Sequence, residues 1–288
     1  VCRTGGLSRR SFAALVTAGV GMATLAACTP GSPTASPAPA PSVSGPGTPS
    51  QLPLPSAAIT TAEPASGSPV SPVSHAPLGA PPSSTLPQQH SLTDPASQWV
   101  IVNKHRPLNP LQYVPGDLVQ PDVLLAISGE GALLNSTTAA AAEKLFAGAA
   151  AAGVTLTLAS GYRSFRTQAE TYNGYVNASG QDSADTASAR PGFSEHQTGW
   201  AFDIGDGGGA CSFEQCFDEQ PAAVWTKANA HTYGFVVRYP SMREDVTGYI
   251  YEPWHVRFVG VEAAVDMATR GIGTLEEYFG VGAAPDYL

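Results

Sequence analysis

Positive charge is scarce in this chain. Its 288 residues include 14 Lys and Arg against 23 Asp and Glu, and charged residues of both signs make up only 13%. From Gln98 onward 11 basic face 21 acidic residues, a net of −10, which excludes a general binder of nucleic acid or of anionic membrane. No apolar run reaches the ~20 residues of a membrane span. Cysteine is also rare: Cys2, Cys28, Cys211 and Cys216 are the 4 present, and with the first two in the amino-terminal address only one pair remains in the domain, too few to complete a four-cysteine structural zinc. Proline is abundant but unevenly placed, with 17 of the 26 between Thr29 and Ser97. That stretch holds two charges, Glu63 and Asp94. It buries too little apolar surface to offset its ordering entropy and is expected to be disordered. Three segments follow: an address at 1–28, a Pro/Ser/Thr/Ala-rich linker at 29–97, and one domain of ordinary size at 98–288.

The first segment reads as an export signal. Arg3, Arg9 and Arg10 precede the apolar run Phe12–Ala27, which is too short to span and fits a signal core. Ser8-Arg9-Arg10-Ser11-Phe12 resembles the twin-arginine export motif. Leu25-Ala26-Ala27-Cys28 resembles a bacterial lipobox, with Cys28 as the lipidation site; an ordinary cleaved signal with an incidental Cys28 is the alternative. A lipid anchor there, with a 69-residue tether spanning roughly 200 Å as polyproline II, would hold the domain outside the cytoplasmic membrane, facing the cell wall. Cys211 and Cys216, five apart in Gly-rich sequence, suit a local disulfide in an oxidising compartment, with half of a metal site as the rival reading.

In the domain, Trp99–Asn103 is expected as a strand, and the prolines at 107, 110, 115 and 121 keep the following chain in loops. Ser136 or Thr137 can cap a helix through Ala152, with Gly153 as its stop. Val154–Ala159 reads as a buried strand, Ser164–Ala178 as a helix, and Pro221–Tyr233 as a helix ended by Gly234. Phe235–Tyr239 and Trp254–Val259 read as strands and Val261–Thr269 as a helix. Without recurrent βαβ spacing the pattern favours an α+β domain with an antiparallel or mixed sheet.

Four histidines lie past the linker: His105, His196, His231 and His255. His196 and Asp203 stand seven apart, a loop position followed by a strand position. His255 follows Glu252 by three, with Pro253 forbidding a regular helix between them. Two imidazoles and one carboxylate suit a catalytic zinc with one open position, beside which Glu252 could act as base. On spacing alone, hydrogen-bonded core histidines explain these residues as well. Asp206 fits turn chemistry, His231 a helix end, Trp200 core packing, and Phe165, Tyr172 and Tyr175 the inner face of a helix.

Three motifs in order change this picture. Ser194-x-His196-x-x-Gly199-x-Ala201-x-Asp203, then Glu252-Pro253-Trp254-His255, resembles the signature of VanY-type D-alanyl-D-alanine carboxypeptidases, which share the Hedgehog/DD-peptidase fold. Ser160-Gly161-Tyr162-Arg163-Ser164-Phe165-Arg166-Thr167-Gln168 agrees in placement, and the likeness covers about residues 98–262. The resemblance implies a single α+β domain with a small, mainly antiparallel sheet flanked by helices. It implies one catalytic Zn2+ held by His196, Asp203 and His255, with Glu252 as general base and Arg163 as the cation facing the scissile carbonyl. Ser194 and Gln168 are implied around the substrate's terminal end. The expected substrates are peptidoglycan stem peptides, from which the terminal D-Ala is released, and the expected state is a monomer. An L,D-carboxypeptidase or peptidoglycan endopeptidase of the same fold, or a non-catalytic wall-binding lipoprotein, are the alternatives.

Overall fold

The computed structural model describes residues 86–288. The export signal, Cys28 and the linker up to residue 85 lie outside the described residues. The linker's last residues belong to the folded unit, contrary to the boundary that composition suggests. Leu92 packs on the core, its carbonyl accepts from the amide of Ile101 at 3.1 Å and from Arg106 Nη2 at 2.9 Å, and Trp200 Nε1 donates to the carbonyl of Pro95 at 3.3 Å. Apolar side chains and backbone carbonyls with fixed partners outweigh the low-complexity composition here.

Two short strands, β1 (Leu118–Val119) and β2 (Leu134–Asn135), pair antiparallel and lead into helix α1 (Ser136–Ala151). Its cap is Asn135, one residue before the expected Ser136 or Thr137. The Asn135 side chain accepts from the amides of Thr137 at 3.0 Å and Thr138 at 3.4 Å, the geometry of a helix N-cap. Strand β3 (Thr157–Ser160), helices α2 (Phe165–Ser179) and α3 (Gln181–Ala187), and strand β4 (Ala201–Gly205) follow. β3 begins later than the apolar run Val154–Ala159 because its ladder partner ends at Gly205, opposite Thr157. Ser164 caps α2, its hydroxyl accepting from the amide of Thr167 at 3.3 Å.

Helix α4 (Pro221–Asn229) is shorter than expected and tightens into a 3₁₀ turn over Ala230–Tyr233. Strand β5 (Phe235–Tyr239), the single turn α5 (Glu244–Thr247), strand β6 (Glu252–Phe258) and helices α6 (Val261–Arg270) and α7 (Leu275–Phe279) complete the order. The main sheet has the order β3-β4-β6-β5, every ladder antiparallel. This is the expected α+β, Hedgehog/DD-peptidase-like architecture.

Strand alternation gives the sheet two characters. Phe202 and Ile204 of β4, with Trp254, Val256 and Phe258 of β6, enter a core with Leu145 and Phe146 of α1. The residues between them, Asp203, His255 and Arg257, are buried as well but polar. Trp99–Asn103 is not a strand. Trp99 and Ile101 face a second core with Met267 and Leu275, whereas Val100 and Val102 face the first. Two of its carbonyls accept from arginines instead of a ladder: Arg257 Nη2 donates to that of Val100 at 2.9 Å, and to that of the preceding Gln98 at 3.0 Å, and Arg106 Nε donates to that of Ile101 at 3.3 Å.

Candidate active site

Position comes from register. In the β4–β6 ladder Asp203 lies directly opposite His255, so two residues 52 apart in sequence share one face of adjacent strands. His196 arrives from a 3₁₀ turn, Glu195–Thr198, which Gly199 ends at φ 70°. A side chain at Gly199 would lie 2.7 Å from the amide nitrogen of Asn135, so glycine serves both the left-handed turn and the close approach.

His196 Nε2 lies 3.3 Å from Asp203 Oδ2, and His255 Nδ1 lies 3.1 Å from Asp203 Oδ1. The imidazole rings stand nearly perpendicular, centroids 4.9 Å apart. Outer partners fix which nitrogen each ring offers. His196 Nδ1 donates to the carbonyl of Gly161 at 2.8 Å, leaving the Nε2 lone pair inward. His255 Nε2 donates to Glu195 Oε2 at 3.3 Å, leaving Nδ1 inward. Two imidazole nitrogens and a carboxylate oxygen thus converge within 4.8 Å of one another, the His255 Nδ1 lone pair becoming available once its proton leaves. Such a cluster of acceptors calls for a cation, and the borderline nitrogen and oxygen donors suit zinc.

Charge follows the same geometry. Burial alone would raise the Asp203 carboxyl, but His196 and His255 hold it well below the ordinary carboxylate range. Burial lowers His196. Burial also opposes a charged His255, yet its bonds to Asp203 and Glu195 carry it up to about 9. Burial lifts the Glu252 carboxyl to about 8, with His255 and Arg163 pulling against it. Glu252 Oε2 lies 3.8 Å from His255 Nδ1.

The residues named in advance do not all have the same setting. Arg163, Ser194, His196, Asp203, Glu252 and His255 line one cleft of about 340 Å³. Gln168 does not reach it. Fully buried, its Oε1 accepts from Arg163 Nη1 at 3.1 Å while Nε2 donates to the carbonyl of Ala189 at 2.7 Å. With Ser160 Oγ accepting from Arg163 Nη2 at 3.0 Å, it aims the guanidinium. Tyr172 is inward-facing, but Tyr175 is 42% exposed and belongs to the cleft wall. Trp200 is core, stacked on Phe258. Asp206 accepts from the amides of Gly208 and Gly209, as a turn residue does. Cys211 and Cys216 are bridged, Cα atoms 5.6 Å apart, so their thiols make no metal half-site.

Glu195 is the residue that motif reading passes over. Its Oε1 accepts from Arg238 Nε and Arg257 Nη1, both at 2.8 Å, while Arg238 also forms two bonds, 2.9 and 2.7 Å, to Glu276. These two cations and two anions are fully buried. The guanidinium groups hold Glu195 ionised against its burial, so it stays an acceptor for His255. The available signals were an acid beside His196, a single arginine in the otherwise apolar β5, and an arginine two residues past His255 in β6. Tyr239, whose ring lies 4.9 Å from that of His255, was likewise unmarked by any motif.

A small antiparallel sheet thus brings two imidazoles, two carboxyl groups and a guanidinium into one cleft. The family model described as VanY, D-alanyl-D-alanine carboxypeptidase, matches residues 131–261. The chain is 38% identical over 191 residues to the putative carboxypeptidase YodJ of Bacillus subtilis, covering 66% of this chain and 69% of that protein. It is 34% identical to a D-alanyl-D-alanine carboxypeptidase of Enterococcus faecalis over 63% of this chain and 66% of that one. The solved structure of the LdcB LD-carboxypeptidase superposes with a TM-score of 0.61 at 38% identity, covering 65% of this chain and 87% of LdcB. The chain belongs to the VanY D-alanyl-D-alanine carboxypeptidase family.

Replacing Glu195 with alanine should leave two buried guanidinium groups short of a partner and cost about 3–5 kcal/mol of stability. Denaturant unfolding measures it.

Proposed function

We propose that this chain is an exported zinc carboxypeptidase that releases the terminal D-Ala from peptidoglycan stem peptides. The observation that carries the reading is the convergence of His196, Asp203 and His255 beside Glu252 and Arg163 in one cleft. One zinc held by His196 Nε2, an Asp203 oxygen and His255 Nδ1 would supply Lewis acidity near neutral pH.

The side chains do the rest. Glu252 accepts the proton of the attacking water as the new C–O bond forms at the scissile carbonyl. It then delivers that proton to the nitrogen as the C–N bond breaks, giving free D-alanine and a shortened peptide. A carboxyl lifted by burial is suited to both halves, because it gives a proton up as readily as it takes one near neutrality. Arg163, aimed by Gln168 and Ser160, presents fixed positive charge where the carbonyl oxygen becomes negative. It also gives this acidic protein a cation for the substrate's anionic end, alongside the hydroxyl of Ser194.

Similarity to LdcB favours a second reading, in which the residue before the broken bond is L rather than D. Defined tri-, tetra- and pentapeptide stems separate the two. Conversion of pentapeptide to tetrapeptide marks the D,D activity and of tetrapeptide to tripeptide the L,D activity; no product from any stem removes both. We further propose that the chain is anchored through a lipid on Cys28 and acts, as a monomer, on the outer face of the cytoplasmic membrane. The lipobox-like Leu25–Cys28 and the Pro-rich stretch behind it support this.

Glu252→Ala should lower D-alanine release ~10²- to 10⁴-fold while zinc content, read by elemental analysis, stays at one per chain. Because His255 keeps its proton up to about pH 9, zinc must displace it. Affinity should therefore fall about tenfold for each pH unit below 9, as titration against a competing chelator will show. Cys28→Ala should move the exported protein from the membrane fraction to the soluble one on fractionation.

A further inference from the structure

Residues 206–220 form a bridged segment, with a 3₁₀ turn over Gln215–Glu219, that brings Phe213 to the cleft. Cys211 packs against the main core, its bond to Cys216 closes a five-residue separation, and residues 212–215 between them are exposed. Cys211 and Phe213 both have positive φ, 53° and 58°, a conformation that residues with side chains seldom adopt unless the surroundings impose it. Beyond the bridge, Asp218 accepts from the hydroxyl of Tyr251 and from Lys227 Nζ at 3.4 Å, which pins the loop's other end to the chain entering β6.

The residue held by these constraints is Phe213. Its ring is half exposed, at 50%, and it lies in the cleft wall, edge to face with Trp254 at a centroid distance of 6.2 Å. Core packing does not explain a large aromatic side chain placed at the cleft with half its surface in water. A cross-link and strained backbone holding it there point to a contact surface.

We propose that Phe213 is a substrate-contacting, specificity-determining residue, and that the Cys211–Cys216 bridge is the clamp that presents it. Backed by the buried Trp254, its ring forms an aromatic wall against methyl and methylene groups of the peptide, while Arg163 and Ser194 meet the peptide's polar end. The inference rests on the peptidase reading above. Its effect falls on binding shared by ground and transition state, hence on KM rather than kcat.

The test uses the oxidised, zinc-loaded protein and the stem peptide it cleaves best. F213A should raise KM about five- to tenfold, the scale of one lost aromatic contact, and F213W should restore it. C211S/C216S should raise KM to a similar degree, and adding F213A to that pair should change it less than about twofold, since the clamp and the ring act as one unit. An unchanged KM in F213A overturns the wall; effects that multiply in full overturn the clamp. If the serine pair does not fold, as thermal melting would reveal, phosphine reduction of the folded wild type replaces it. If no stem is cleaved, the peptidase reading fails separately, and calorimetric binding of uncleaved pentapeptide to wild type and F213A then decides the wall: weaker binding to F213A supports it and equal binding overturns it.

Discussion

The pairing of Asp203 with His255 across β4 and β6 is the constraint on which the site depends. A strand shifted by one residue turns its side chains to the opposite face. Such a slip would carry Asp203 toward α1 and bring Phe202 to the cleft. The apolar residues therefore specify the site without taking part in it: burial of Phe202, Ile204, Val256 and Phe258 against α1 makes any other register expensive.

Beneath that pairing lies a second, electrostatic layer. Glu195 bonds His255 on one side and two guanidinium groups on the other. Arg257 continues to the carbonyls of Gln98 and Val100, and Arg238 continues to Glu276 on α7. Buried charge of this kind adds little net stability compared with a well-packed apolar core, but removing one partner is costly. Its effect is to tie the orientation of one imidazole to Gln98 and Val100 at one end and to α7 at the other, so that elements far apart in sequence share in aiming a single nitrogen.

Much of this was legible in the sequence. The α+β class and strands β5 and β6 followed from the apolar runs, whereas the grouping of His196, Asp203, Glu252 and His255 came from the likeness of three ordered motifs to a known family, because spacing alone left core histidines as good an explanation. What escaped was information that spacing does not contain. Trp99–Asn103 has the composition of a strand, but the carbonyls of Val100 and Ile101 are taken by arginine side chains. Residues 86–97 look like linker because they continue the Pro-rich stretch and are mostly small or polar, yet a few apolar contacts and backbone bonds fix them in place. Gln168 sits in a motif beside Arg163 and was assigned to substrate; three-dimensional packing turns it inward to hold that arginine. Glu195 was hidden by its own neighbours, since an acid next to a metal-ligand candidate reads as incidental until the two arginines around it are seen.

The two-faced sheet also governs how such a protein can change over time. On the α1 side, substitutions that conserve volume can accumulate, because packing tolerates many apolar solutions. On the other side each polar group answers to at least one specific partner, so lineages should drift freely in one half of the alternating pattern and hardly at all in the other. Novelty in substrate choice would then come from the loops around the cleft, which can lengthen, acquire a cross-link or exchange an aromatic ring while the inherited chemistry beneath them stands still.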